Sequence, residues 1–286
     1  RVAEIFEMLM YGDQPLGWDV GGTKENIDKM RHADLLKYFS DHYFAKNTVV
    51  AIAGNIKSDE IKEKVEKYFD SVRENKRNEP LALENDQAEP RLKVEYKKTD
   101  QTHVNLGFIG YSRFHPKHEA LGLLSIILGG GMSSRLFTEV REKRGLAYLV
   151  STGSTAYNEI GNIVTYAGLN NANLIEGLKV ILAEHKKLTQ ELVSDKELCR
   201  VKDQIRGSFV IGLEQSDDHA SFYGEQELLE NKIETPEERL AKITAVTRED
   251  ILEVARDVFR PEKLSLAIVG PLEGENKEIK EILNSW

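Results

Sequence analysis

The chain has 286 residues, 40% hydrophobic and 30% charged, a composition typical of soluble globular proteins and long enough for about two domains. A formal net charge of -9 excludes a surface built to track nucleic-acid phosphates, and no apolar run approaches the ~18 residues of a membrane span. Cys199 is the only cysteine, so no internal disulfide can form, and a reducing, intracellular, cytoplasmic setting is expected.

Val2, Ile5, Phe6, Leu9 and Met10 recur at helical spacing with no cap before them, so the chain opens inside a helix. Turn signals follow at 12–17 and at Gly21-Gly22. Helices are expected from about Thr23 and over 33–43, then an apolar strand over 48–53. Ser58 is a candidate N-cap for a helix over 59–69, with Ile61, Val65 and Phe69 on one face. Residues 74–90 are polar and hold two prolines, the best linker in the chain.

Beyond it, Leu92, Val94 and Tyr96, then Val104, Leu106 and Phe108, alternate as strands with one buried face. A helix over 118–128 runs into Gly129, Gly130 and Gly131, and Ser133 or Ser134 can cap another through Lys143, closed by Gly145. Segments 148–156 and 162–167 flank a hairpin turn. Asn173 can cap a helix that turns Leu174, Leu178, Ile181 and Leu182 inward. Ser194 with Glu197 and Thr235 with Glu238 have capping-box spacing.

One segment recurs. Asp34-Leu35-Leu36 through Gly54 matches Asp250-Ile251-Leu252 through Gly270, with Asp34 to Asp250 and Gly54 to Gly270 both 216 positions apart. Each copy is a helix, a short loop and an apolar β-rich run closed by Gly, which predicts an internal duplication. The fold class expected is α+β: two homologous layered halves, each a sheet with helices packed against it. On this division residues 1–77 are the C-terminal remainder of a first half truncated at its N-terminus, 78–90 a linker, and 91–286 a complete second half. The offset places the equivalent start of the first half roughly 125 residues before Arg1.

Residues 128–150 form the sharpest motif. Three glycines permit close approach of another backbone, a helix then presents Arg141, and the chain turns at Gly145 into a strand carrying Tyr148. An Arg supplies a fork of donors to a carbonyl or carboxylate, and a Tyr one hydroxyl. By residue type alone, Arg141 beside Glu142 reads equally as a solvated ion-pair partner and Tyr148 as strand packing. The glycine run lacks the Lys-Ser/Thr of a phosphate-binding loop.

This segment resembles the second half of the pitrilysin/insulinase family of zinc peptidases, in particular the branch similar to mitochondrial processing peptidase. There a Gly-rich loop is followed by Ser-Arg-Leu, an Arg and, seven residues later, a Tyr, as in Arg141 and Tyr148. Pro15-Leu16-Gly17, Gly22-Thr23, Ile27, Tyr43, Asn47 and the run ending at Gly54 match as well, so the similarity covers essentially the whole chain. The resemblance implies a zinc metalloendopeptidase acting on peptides or presequences. Its metal is held by His-x-x-Glu-His in the first half, with a Glu further along as third protein ligand and the motif's own Glu activating a water.

His-x-x-Glu-His is nowhere in this sequence. The resemblance therefore implies zinc in the full-length protein, none bound to this chain, and neither catalytic nor metal-ligand residues within it. Arg141, Tyr148, Gly129, Gly130 and Gly131 would be substrate-binding. Implied partners are a peptide substrate bound as an added strand, and either a missing N-terminal segment or a catalytic partner subunit. A homodimer is an allowed assembly. The rival reading is a non-catalytic partner or scaffold subunit of the same family. The one local metal-site candidate, His115, His118 and Glu119, has the wrong order and lies where Pro116 marks a loop entering a helix.

Overall fold

A computed structural model describes residues 1–76, 81–274 and 276–286. In chain order its helices are α1 (Val2–Tyr11), α2 (Lys24–Lys29), α3 (His32–His42), α4 (Ser58–Phe69), α5 (His118–Gly129), α6 (Leu174–Gln190), α7 (Asp195–Ile211), α8 (Ser216–Leu229), α9 (Pro236–Ala245), α10 (Arg248–Val258) and α11 (Lys277–Ser285). The strands are β1 (Arg91–Tyr96), β2 (Gln101–Gly110), β3 (Ala147–Ala156), β4 (Gly161–Asn170) and β5 (Leu264–Gly270). Residues 78–80 of the expected linker, and the boundary residue 77, lie outside the described residues. From 81 to 90 the chain has neither helix nor strand.

Two compact units draw on both sides of that linker: Arg1–Val20, Ala82–Asp203 and Ala241–Trp286 form one, Gly21–Leu81 and Gln204–Leu240 the other. In the first, the strand order is β1-β5-β2-β4-β3, with β1 and β5 parallel and every other neighbouring pair antiparallel. β3 and β4 are the expected hairpin, longer at both strands. β5 is buried along its whole length, as a strand covered on both faces must be. One face carries α5, α6 and α10. There Phe108 is fully buried among Phe259, Trp286 and His185, at ring-centroid distances of 5.1, 5.4 and 5.7 Å.

The other face is covered by α1, whose Val2, Ile5, Phe6, Met10 and Tyr11 cluster with Ala267 and Val269 of β5. Polar ties fix its far end. Tyr11 accepts from Asn162 Nδ2 at 2.8 Å, and Arg91 donates to the carbonyls of Leu9 and Met10 at 3.1 Å. The α1 pattern read from sequence is therefore a core-facing helix, and the surface it covers belongs to strands beyond the linker.

The second unit holds α2, α3, α4 and α8. Arg73 knits it, donating to Ser40 Oγ at 2.8 Å and to the Phe39 carbonyl at 2.6 Å. Thr235 and Glu238 exchange both bonds of a capping box, and Gln226 pairs with the backbone of Glu234. α8 lies beside the segment 51–53: a Cβ added at Gly224 would stand 2.9 Å from that of Ala51. Under the 216-position offset Ala51 corresponds to Ala267, and most of α8 to α1.

The expected strand over 48–53 is corrected. Thr48 has extended backbone (φ -128°, ψ 130°), but among the described residues no strand pairs with this segment. A strand exists only when a neighbour satisfies its N–H and C=O groups. Ser58 is likewise the first residue of α4 rather than its cap, and the Asn173 side chain makes no cap bond, Asn170 accepting from Ala172 N instead. The matched copies differ most in exposure: Leu35 is 56% and Ile52 48% exposed, against 0% for Ile251 and Ile268.

Burial pushes His185 down from 6.5 to about 4, only partly offset by the Ile181 carbonyl that its Nδ1 contacts. The folded pKa lies below the unfolded one, so the unfolded chain takes up a proton first as pH falls. Stability should decline from pH 6.5 towards 4, by roughly 3 kcal/mol in all from this group. Melting temperatures across that window are expected to fall less steeply in His185→Leu than in the wild type.

Candidate functional site

The site is built around a close approach. α5 ends against β3, where a Cβ on Gly129 would lie 2.4 Å from both the backbone N and Oγ1 of Thr152. Only glycine permits this contact. The chain beyond is pinned by Arg200, which donates to the Ser133 carbonyl at 2.7 Å, and by a bidentate Arg135–Glu197 pair at 2.9 and 2.8 Å. Glu197 thus serves Arg135, while its backbone N takes the expected cap from Ser194 Oγ at 3.2 Å.

The helix expected through Lys143 is a π-helix over Phe137–Glu142, closed by Lys143 N donating to the Thr138 carbonyl at 3.0 Å. Leu136 and Val140 are fully buried, which turns Phe137 and Arg141 outward. Glu139 is claimed by Lys143 and Arg144, whose bonds hold its carboxyl at about 2. Gly145 reverses the chain at φ +61°, with Gly145 N donating to the Arg141 carbonyl and Leu146 N to that of Val140.

A second irregularity follows at once. Ala147 pairs with Leu169 and Leu149 with Gly168, so Tyr148 is the extra residue of a β-bulge. Bulges re-aim side chains. Tyr148 stands 76% exposed, and the Arg141 guanidinium lies over its ring at 5.3 Å from the centroid. The second ring contact is Phe137, whose centroid is 4.8 Å from the guanidinium carbon. Among the described residues no carboxylate pairs with Arg141.

The structure therefore brings Arg141 and Tyr148 together and separates the glycines by role. Gly129 is buried packing, Gly130 is half-buried, and Gly131 is exposed. Phe137 was not singled out from sequence, although its i, i+4 spacing to Arg141 signals a shared helix face. Chemically, the arrangement offers guanidinium N–H donors and one phenolic hydroxyl at an exposed position.

Among the described residues no three His, Cys, Asp or Glu side chains converge as a metal-holding set. His115 is stacked on Tyr111 at 3.8 Å and its Nδ1 accepts from Lys117 N, while His118 Nδ1 stands 3.6 Å from Glu119. No described helix is long and apolar enough to cross a membrane.

The family described as "Peptidase M16 inactive domain" matches residues 29–205, more than half of the chain, and the chain belongs to that family, the pitrilysin/insulinase group its motifs resemble. It is 34% identical over 279 residues to an uncharacterized zinc protease of Streptomyces coelicolor, covering 95% of this chain and 60% of that protein. Identity to an uncharacterized zinc protease of Bacillus subtilis is 33% over 271 residues, with 94% and 65% covered. The chain thus spans less than two thirds of the length of these relatives. Among solved structures, a protease from Helicobacter pylori superposes with a TM-score of 0.87 at 25% identity, over 93% of this chain and 65% of that one. A peptidase M16 inactive domain from Pseudomonas fluorescens shares the fold at TM-score 0.84 and 21% identity, over 96% of this chain and 66% of that one.

Gly129→Ala should force α5 off β3. The expected cost is about 2 kcal/mol in denaturant-unfolding stability, against little change for Ala at the exposed Gly131.

Proposed function

We propose that the chain is the substrate-holding portion of a zinc metalloendopeptidase that hydrolyses peptides or presequences, in the branch similar to mitochondrial processing peptidase. In this reading the two copies arose by duplication. The His-x-x-Glu-His helix belongs to polypeptide outside the 286 residues, either an upstream segment or a catalytic partner subunit. The observation that carries the proposal is the Arg141–Tyr148 pair: an un-neutralised guanidinium and an exposed phenol, aimed by a π-helix and a β-bulge. Those donors suit the carbonyl oxygens of an extended peptide, Arg141 through its fork and Tyr148 through its hydroxyl.

Further support comes from the uncovered copy. Leu35, Phe39, Val50 and Ile52 are exposed where their counterparts Ile251, Ala255, Leu266 and Ile268 are fully buried. A sheet from the zinc-binding half would cover them as the β1-β5-β2 sheet and its helices cover the second copy. The chain alone supplies orientation, with no group here acting as catalyst. A non-catalytic partner or scaffold subunit of the same family, the partner lending Arg141 and Tyr148, is the alternative.

Mixing the chain with a polypeptide carrying His-x-x-Glu-His should restore chelator-sensitive cleavage of an internally quenched peptide. Arg141→Ala should lower kcat/KM by roughly 10-fold, the loss of a charged hydrogen bond. Chelator-sensitive cleavage by the chain alone would refute the division of labour. Unaltered kinetics in Arg141→Ala and Tyr148→Phe would refute the substrate-holding role.

A further inference from the structure

Arg141 lies over two aromatic rings. Its guanidinium carbon lies 4.8 Å from the Phe137 centroid and 5.3 Å from that of Tyr148. The rings are not equivalent: Tyr148 is exposed, whereas Phe137 is half-buried between the fully buried Leu136 and the outer surface of the π-helix. The anchored ring is therefore Phe137. A guanidinium donates in its own plane, so covering its faces leaves the N–H edges open to an acceptor. Among the described residues Arg141 has no carboxylate partner, so the rings are what restrict a side chain that otherwise has large rotamer freedom.

We infer that Phe137 is a positioning residue: it holds Arg141 with its donor edge turned towards a peptide oxygen, with Tyr148 as a second ring contact. This rests on the reading that Arg141 and Tyr148 hold substrate, and it adds to that pair a residue with no polar atom to contribute. Of the two acids on the same π-helix, Glu139 is engaged by Lys143 and Arg144, and Glu142 forms no ion pair with Arg141.

The test has two arms. In the first, NMR of arginine-labelled chain without any peptide reads the ring-current shielding of Arg141. Phe137→Leu should shift its δ and ε protons downfield, and Phe137→Trp should not. In the second, the chain assembled with the His-x-x-Glu-His polypeptide cleaves an internally quenched peptide. Phe137→Leu should lower kcat/KM about three-fold, the size of an exposed cation–π contact, and Phe137→Trp should restore it. In an Arg141→Ala background Phe137→Leu should cost nothing further. An unmoved Arg141 signal, or an equal loss from Phe137→Leu in both backgrounds, overturns the inference while the substrate-holding reading stands. Arg141→Ala without effect overturns that reading and the inference with it.

Discussion

The covering of the β5–β2 sheet on its second face is the constraint from which the rest follows. An antiparallel sheet can leave one face in water, but β5 is buried along its length and reads Leu-Ser-Leu-Ala-Ile-Val-Gly, with no charge to offer solvent. α1 meets this need with Val2, Ile5, Phe6, Met10 and Tyr11 on Ala267 and Val269. With that face closed and the α5, α6 and α10 layer closing the other, the sheet becomes a rigid platform. Its β3 edge carries the exposed Arg141–Tyr148 cluster.

That cluster is made by departures from regular structure on a regular scaffold. The π-helix and the β-bulge flank Gly145, so Arg141 and Tyr148 meet although they stand on different elements. Inserted residues of both kinds recur at functional sites because they turn a side chain without disturbing the packed neighbours. Here those neighbours are Leu136, Val140, Leu146, Ala147 and Val150, all buried. The Gly129–Thr152 contact seats the whole segment against the strand it is about to enter.

Sequence patterning exposed much of this arrangement where burial is one-sided. The β3–β4 hairpin, the inward residues of α6 and the Thr235–Glu238 box follow from period and cap chemistry. The Arg141–Tyr148 spacing pointed to the same two residues the structure brings together. What stayed hidden has physical causes. The π-helix and bulge each add a single residue, which no hydrophobic period registers. α8 buries only Gln226 among its residues, and a helix without an apolar stripe has no sequence signature. The crosswise grouping of segments is equally invisible, because α1 shows an apolar face without naming the surface it covers. The 48–53 run has strand composition but no neighbour among the described residues, and composition alone cannot supply one.

The α1–β5 contact also orders events during synthesis. Val2 to Tyr11 leave the ribosome well before Ala267 and Val269 are made. Until then the nascent helix has an oily stripe without its main partner, the strand that sits between β1 and β2. Closure of this unit is thus a long-range event of high contact order, and the waiting helix is a natural place for a chaperone to hold.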